Sequence, residues 1–309
     1  MKKSKILYFG TPDFSLEPLK AIYESGYELL GVVCQPDKPS SRGKTQFSPV
    51  KSFAIENNIN VYQFNKIRLD GIETLKNIPV DIYVTCAYGQ ILSQEILDIP
   101  PKGVLNIHAS LLPKFRGSSP IQTAILSGES ETGITIMKTA LTVDSGDILL
   151  QKKIKIESFD NAGTLFEKLS LLGSEAILEA LNLIDNNQAQ FKPQNHSEAT
   201  FCKMLKKEDG EIKFNVSFEE FDLHCRAMLP WPGCYTYLNG KILKIFEYEK
   251  ADKLDINPGM MVVMDKTVYI TLKDSSIKVL SLQEEGSRRM NIQDYINGRK
   301  FQERNELGR

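Results

Sequence analysis

At 309 residues, 41% of them hydrophobic, the chain is long enough for two domains and apolar enough to bury a core in each. Its formal net charge of −1, with acidic and basic residues balanced even within 207–309, excludes nucleic-acid binding through overall positive charge, so any such contact must rest on local patches. The five cysteines are odd in number and lack close-paired spacing, which argues against a disulfide framework or a zinc site and fits a reducing, cytoplasmic compartment; no metal is expected.

Lys2, Lys3 and Lys5 precede a short apolar run, 6–9, that stops at Gly10-Thr11-Pro12, so the amino terminus reads as a first strand rather than a leader. No apolar stretch approaches membrane-spanning length. Strands are expected at 5–9, 29–34, 81–87 and 103–108, alternating with helices at 16–25, 49–58 and 119–127. That βαβ alternation predicts a mostly parallel, Rossmann-like α/β sheet with ligands at the carboxyl ends of its strands. Gly10-Thr11-Pro12-Asp13 is not a G-x-G-x-x-G fingerprint, so a nicotinamide site is not indicated. Further strands at 135–137 and 147–156 and a long helix at 162–184 complete a first domain, 1–188.

A polar stretch carrying Pro193 reads as a linker, 189–206. Beyond it, in 207–309, a helix is expected at 218–228. Tyr235-Thr236-Tyr237-Leu238 and 242–246 flank Asn239-Gly240, a strong type I′ hairpin signal, and strands at 268–272 and 277–282 flank another turn. A small, OB-like β-barrel is expected. Trp231, in Pro230-Trp231-Pro232-Gly233, reads as a core anchor.

The candidate chemistry lies at the end of the fourth strand. Asn106 and His108 alternate onto one strand face, and Asp144 follows within Asp144-Ser145-Gly146-Asp147. An amide can donate to a developing oxyanion, an imidazole can shuttle a proton near neutral pH, and a carboxylate can orient the imidazole and favour its charged form. A lone histidine at a strand end is more often structural. Here it sits in a long irregular run, Asn106-x-His108-x-Ser110-Leu111-Leu112-Pro113-x-x-Arg116-Gly117, that no helix or strand periodicity requires.

This run, with the later Asp144, resembles the family of enzymes that transfer a formyl group from 10-formyltetrahydrofolate. Gly10-Thr11-Pro12-x-Phe14, Gln35-Pro36-Asp37-Lys38-Pro39 with Arg42-Gly43-Lys44, Ser48-Pro49-Val50-Lys51, the Pro-Trp-Pro-Gly turn and Leu282-Gln283-x-x-Gly286 extend the likeness over nearly the whole chain. Within the family they match the branch that formylates the methionine of charged initiator tRNA. The resemblance implies Asn106, His108 and Asp144 as catalytic residues, with direct attack by the acceptor amine rather than a covalent intermediate on Cys86 or Ser110. It implies folate contacts along Cys86, Tyr88, Gly89, Gln90, Ile91 and Leu92, at Ser110, Leu111, Leu112 and Pro113, and at Val143. It implies acceptor tRNA contacts at Lys38, Arg42 and Lys44 and in the barrel, with the protein acting as a cytoplasmic monomer. Amino-sugar nucleotides as acceptor, or hydrolysis of the folate, are the alternatives, and a non-enzymatic binding module is disfavoured by the intact triplet. The sequence departs from the family pattern before Asp144, where Ala140 replaces an acid and Thr142 a glycine, which leaves the loop's shape and its grip on folate open.

Overall fold

Residues 6–9 and 32–34 are wholly buried, as in strands covered by helices on both faces. They belong to β1 (Lys5–Gly10) and β2 (Glu28–Cys34) of a seven-stranded sheet that also contains β3 (Val61–Gln63), β4 (Ile82–Cys86), β5 (Val104–His108), β6 (Glu131–Lys138) and β7 (Ile148–Lys155). The computed structural model describes residues 2–39, 45–297 and 304–308, with only the backbone of 38, 39 and 45. The strand order is β7-β6-β5-β4-β1-β2-β3. Pairing is parallel from β3 to β5 and antiparallel where β6 joins β5 and β7 joins β6. Connections leave β1 towards opposite edges, so the carboxyl ends of β1 and β4 frame the switch point where such sheets bind ligands. Helices Leu16–Glu24, Pro49–Glu56 and Ala162–Asp185 have the expected positions. The second starts sharply because the Ser48 hydroxyl accepts from Lys51 N and Pro49 opens the first turn. β3 and the short helices at Ile67–Asp70, Ile72–Lys76 and Gln94–Leu97 are additions to the expected elements.

The chain divides into two compact units, Met1–Pro120 with Ser130–Ile156 and Leu165–Lys203, and Ile121–Glu129 with Glu157–Thr164 and Met204–Arg309. The first unit reaches Lys203, past the expected domain end at 188, and two inner segments group with the second unit. The segment 189–206, expected as a linker, is polar and mostly exposed, but it is tied to the first unit through its main chain and one buried side chain. Ile148 N and Lys192 N each donate to the other's carbonyl at 2.8 Å, Gln194 is buried, and Phe201–Cys202 pairs in parallel with Arg116–Gly117.

The second unit is an antiparallel sheet of β8 (Cys234–Leu238), β9 (Lys241–Ala251), β10 (Met260–Met264), β11 (Thr267–Thr271), β12 (Ser276–Glu284) and β13 (Arg304–Glu306), in the order β8-β9-β12-β11-β10-β13, with Met290–Asn291 added beside β12. A bridge between Leu238 and Leu307, and Gly308 N donating to Tyr237 O at 3.0 Å, bring its two edges together as a barrel. Leu243, Ile245, Val268, Ile270, Ile277 and Val279 fill the interior together with Phe221. Phe221 comes from the helix Phe218–Met228, whose Ser217 and Glu220 form a capping box.

Two expectations fail in this unit. Cys225 and Cys234 form a disulfide, so the cysteines are not all free; the pair is brought together by the turn between helix and β8, which spacing alone does not reveal. Trp231 is 51% exposed and is no core anchor. Pro232 and Gly233 take the inner positions, since a Cβ on Gly210 would lie 2.1 Å from Gly233 O and Gly233 N donates to Met228 O.

The Asn239-Gly240 hairpin has φ of 51° and 76° at its two central residues, the type I′ geometry. Nothing lies within 4 Å of a Cβ added to Gly240, so Gly240→Ala meets only the backbone penalty of a positive φ. A loss of about 1–2 kcal/mol in urea unfolding is expected, with activity of the folded protein unchanged. A stability equal to wild type would show that the turn does not hold this conformation in solution.

Candidate active site

β5 delivers Asn106 and His108 from one rigid strand. Asn106 Oδ1 accepts from the Thr85 hydroxyl on the neighbouring β4 at 2.8 Å, and no described residue accepts from Asn106 Nδ2, which leaves that amino group available to a ligand. His108 is buried. Its Nε2 lies 3.0 Å from Phe115 O, and because a carbonyl only accepts, Nε2 carries a proton. The other nitrogen, Nδ1, faces Asp144 Oδ2 at 3.5 Å. That separation is longer than a well-made hydrogen bond, so Nδ1 is not fully committed to Asp144.

Asp144 has a left-handed backbone, φ 50°, which an aspartate tolerates better than most residues. Its Oδ2 accepts from Gly117 N at 2.8 Å. Gly117 itself has φ 118°, and a Cβ there would lie 2.3 Å from Cys202 O, so only glycine fits between Asp144 and the Phe201–Cys202 strand. Gly146 is equally constrained, since a Cβ would sit 1.7 Å from Lys138 O. Thr142 is not among the positive-φ residues, so the glycine it replaces is not needed for the backbone.

In the segment 110–113 the side chains of Ser110 and Leu112 face inward. Ser110 is buried and donates to Lys114 O at 2.6 Å, while its own carbonyl accepts from Thr135 Oγ1. Leu112 is buried with its N–H on Thr135 Oγ1, its peptide to Pro113 is cis, and Leu111 is partly exposed. Any ligand contact from 110–113 would therefore come through main chain or the partly exposed Leu111 and Pro113.

The loop after β4 divides in the same way. Burial pushes the Cys86 thiol up to about 12, with its hydrogen bond to Tyr8 pulling weakly the other way, so at neutral pH it is a protonated core group. Tyr88 is buried beside Phe9, and its carbonyl accepts from Thr11 Oγ1 and Gln35 Nε2. Gln90 is committed through its side chain, accepting from Ile67 N at 2.8 Å and donating to Phe64 O at 2.9 Å. Gly89, with φ 90°, exposes main chain; Ile91 is 67% exposed, while Leu92 is buried. A cavity of about 700 Å³ lies between 94–104 and the loop 138–147, with Leu97, Val104 and Leu141 among its walls. It takes in neither the 88–92 loop nor Val143, which is itself exposed. Arg42 and Lys44 lie outside the described residues, as does the side chain of Lys38.

Sequence reasoning missed Thr85, Gln151 and above all Gln194. Gln151 Nε2 donates to Leu112 O and Thr135 Oγ1, both at 2.9 Å. Thr85 and Gln151 look like ordinary strand residues, and only the register of their neighbours reveals a role. Among the described residues no group of three or more His, Cys, Asp or Glu side chains could hold a metal, and no helix is long and apolar enough to cross a membrane.

An amide, an imidazole and a carboxylate at the ligand-bearing end of a mostly parallel sheet, with a closed antiparallel barrel in the same chain, define a two-domain α/β group-transfer enzyme. The chain belongs to the formyl transferase family: residues 2–181 match its formyl transferase domain and 204–300 its C-terminal domain. It is 39% identical over 298 residues to the methionyl-tRNA formyltransferase of Agathobacter rectalis, covering 95% of this chain and 96% of that protein. It is 40% identical to that of Acetivibrio thermocellus, covering 98% and 99%. Among solved structures, HypX from Aquifex aeolicus in complex with tetrahydrofolic acid matches with TM-score 0.67 at 16% identity, over 96% of this chain and 47% of that one, so this chain spans about half of HypX. WlaRD, a sugar 3N-formyl transferase, matches with TM-score 0.66 at 21% identity, over 93% and 99%. At these identities the structural likenesses establish the fold.

Burial raises the thiol of Cys34 as well as that of Cys86, with the Ser48 hydrogen bond opposing it at Cys34. A thiol held near 12 is roughly one part in 10⁴ thiolate at pH 8. Native protein treated with iodoacetamide at pH 8 should therefore be carbamidomethylated at Cys202 and not at Cys34 or Cys86, as read by peptide mass spectrometry. Rapid labelling of Cys86 would reopen a nucleophilic role for it.

Proposed function

We propose that this protein transfers the formyl group of 10-formyltetrahydrofolate to the α-amine of methionine esterified to initiator tRNA, for translation initiation. The observation that carries this reading is identity near 40% to methionyl-tRNA formyltransferases over almost the whole length of both chains, barrel included. The sugar-acting neighbours share the fold at much lower identity.

The cavity supports a folate site beside the 138–147 loop: about 700 Å³ is within the usual range for ligand sites, and its largely polar lining, with Leu141 exposed at one wall, can meet the polar edge of a pterin. Exposed Ile91 and Val143 and the main chain at Gly89 lie on neighbouring loops and can extend the folate contact.

In the proposed reaction the neutral amine attacks the formyl carbon and the carbonyl oxygen becomes an oxyanion. Asn106 Nδ2 and His108 Nδ1–H donate to that oxygen. Asp144, with Oδ2 held by Gly117 N and Oδ1 without a partner among the described residues, takes the proton the amine loses, directly or through water. The bond from the formyl carbon to N10 then breaks, N10 receives a proton relayed by His108, and tetrahydrofolate leaves. All three side chains come from one chain, so a monomer suffices, and we assign it to the cytoplasm where charged tRNA is made. Lys38, Arg42 and Lys44 are proposed to meet the tRNA acceptor end and residues 207–309 the tRNA body. The basis is the loop's concentration of positive charge in an otherwise neutral chain.

The decisive experiment offers purified protein and 10-formyltetrahydrofolate to charged initiator tRNA, charged elongator tRNA and nucleotide amino sugars. Formylation of initiator methionine is expected; preferential formylation of a sugar would overturn the reading. His108→Ala and Asn106→Ala should each lower turnover by about 10²-fold or more while folate binding persists, because both act on the transition state. Near wild-type turnover in either variant would remove that residue from the mechanism. Arg42→Ala should weaken use of initiator tRNA and flatten the salt dependence of its affinity by up to about one unit of log–log slope. Equal formylation rates at subsaturating tRNA would move recognition to the barrel.

A further inference from the structure

Asp144 stands on a loop, and loops do not by themselves hold a carboxylate to within a few tenths of an ångström. One of the groups that fix it, Gln194, comes from a segment that neither matched domain includes, since the matches end at 181 and resume at 204. Gln194 Nε2 donates to Asp144 O at 2.9 Å and to Gly146 O at 2.7 Å, so both amide protons are spent on the main chain of one loop. Gln194 Oε1 accepts from Arg116 Nε at 3.2 Å and from Arg116 Nη2 at 2.7 Å. Gln194 and Arg116 are both more than nine-tenths buried. No carboxylate pairs with Arg116 among the described residues, and its guanidinium also reaches His196 Nδ1 at 3.0 Å.

The chemistry of these partners fixes the geometry. A guanidinium can only donate, so Gln194 must turn its oxygen towards Arg116 and its amino group towards the two carbonyls. A cation on the oxygen also polarises the amide and strengthens its N–H donors. The next residue after Arg116 is Gly117, whose N–H holds the Asp144 carboxylate. Main chain and side chain of Asp144 are thus tied to one buried bracket, which the pairing of Phe201–Cys202 with Arg116–Gly117 closes from outside.

We infer that Gln194, braced by Arg116, is the positioning residue of the reaction: it sets the left-handed backbone at 144 and thereby the approach of Asp144 to His108. The inference rests on the formyl-transfer reading above for its kinetic arm and on geometry alone for its spectroscopic arm. Gln194→Glu is the discriminating change. The carboxylate keeps, and strengthens, the contact with Arg116, yet faces two carbonyls with no proton to give.

In the full-length enzyme, Gln194→Glu should lower turnover by about tenfold or more with a much smaller change in the KM for the folate donor. In an Asp144→Asn background the same change should cost less than about twofold, because the group it positions is already gone. The His108 ring ¹⁵N resonances should move in Gln194→Glu in the direction they move in Asp144→Asn. Multiplying losses, or wild-type turnover and resonances in Gln194→Glu, would overturn the inference. In the wild-type protein, where folding is not at issue, both Gln194 side-chain amide protons should exchange slowly with solvent. Fast exchange of both would overturn it whatever the variants do. A wild-type protein without formyl-transfer activity would instead sink the proposed function and leave the spectroscopic arm standing.

Discussion

The first unit is arranged around one contact, the approach of Asp144 Oδ2 to His108 Nδ1 at 3.5 Å. His108 comes from the interior of a sheet and has no freedom to adjust. Asp144 lies beyond the antiparallel partner strand, on the loop that joins β6 to β7. Three pieces of chain must therefore converge: the strand end at 108, the crossing at 115–117 and the loop at 144. The crossing serves both partners, since Phe115 O holds His108 Nε2 and Gly117 N holds Asp144. Phe115 and Gly117 both have positive φ, with φ values of 60° and 118°, and one carbonyl and one N–H turn towards the site from residues two positions apart. The cost of a non-glycine residue there is met by anchoring on Thr200, whose hydroxyl accepts from Phe115 N and whose carbonyl accepts from Arg116 N.

How much of this the sequence disclosed follows from the kind of signal each part leaves. The strands and long helices of the first unit were legible because apolar periodicity is set by burial, and Asn106 and His108 could be placed on one face because strand geometry fixes alternation. The Asn239-Gly240 hairpin was legible because its φ values demand those residues. What stayed hidden is side-chain-to-main-chain bonding over long separations. Gln194 reads as one polar residue in a polar stretch, and nothing local distinguishes a glutamine facing solvent from one saturating two carbonyls fifty residues away. The Cys225–Cys234 pair and the exposure of Trp231 depend on how a Pro-rich turn folds back, which composition does not encode. β10 was missed because Met260-Met261-Val262-Val263-Met264 is short and has no alternation to mark it.

The departures at Ala140 and Thr142 have a physical reading in this loop. Leu141, Thr142 and Val143 are exposed, so the loop is held at its ends rather than by packing along its length. At one end Thr139 N donates to Val104 O at 2.8 Å, and at the other Lys138 N reaches Asp147 O at 2.9 Å. Inside, the Ser145 N–H and hydroxyl both close on Thr142 O. With Thr142 in an ordinary backbone region and Ala140 exposed, the two substitutions alter the surface offered to a ligand and leave the position of Asp144 to the buried bracket beneath it.

A second polar network sets the other edge of the site. Gln35 donates to Tyr88 O at 3.0 Å and accepts from Gln90 Nε2 at 3.3 Å, so the loop after β4 is tied to the segment after β2. Gln63 Nε2 then joins Gln35 O to Asp37 Oδ1, and Lys51 Nζ pairs with Asp37 and reaches Gln63 Oε1 at 2.9 Å. The Lys51 hydrogen bond holds the Asp37 carboxyl below its ordinary range. A lowered carboxylate pKa contributes stability that is present above the unfolded value and lost as pH falls through the folded one, so this tie is intact throughout the neutral range and opens only in acid. Gln35 and Asp37, which lead into the paired segments 38–39 and 45–46, are therefore fixed to the same loop that carries Gly89 and Ile91, the loop proposed to meet the folate.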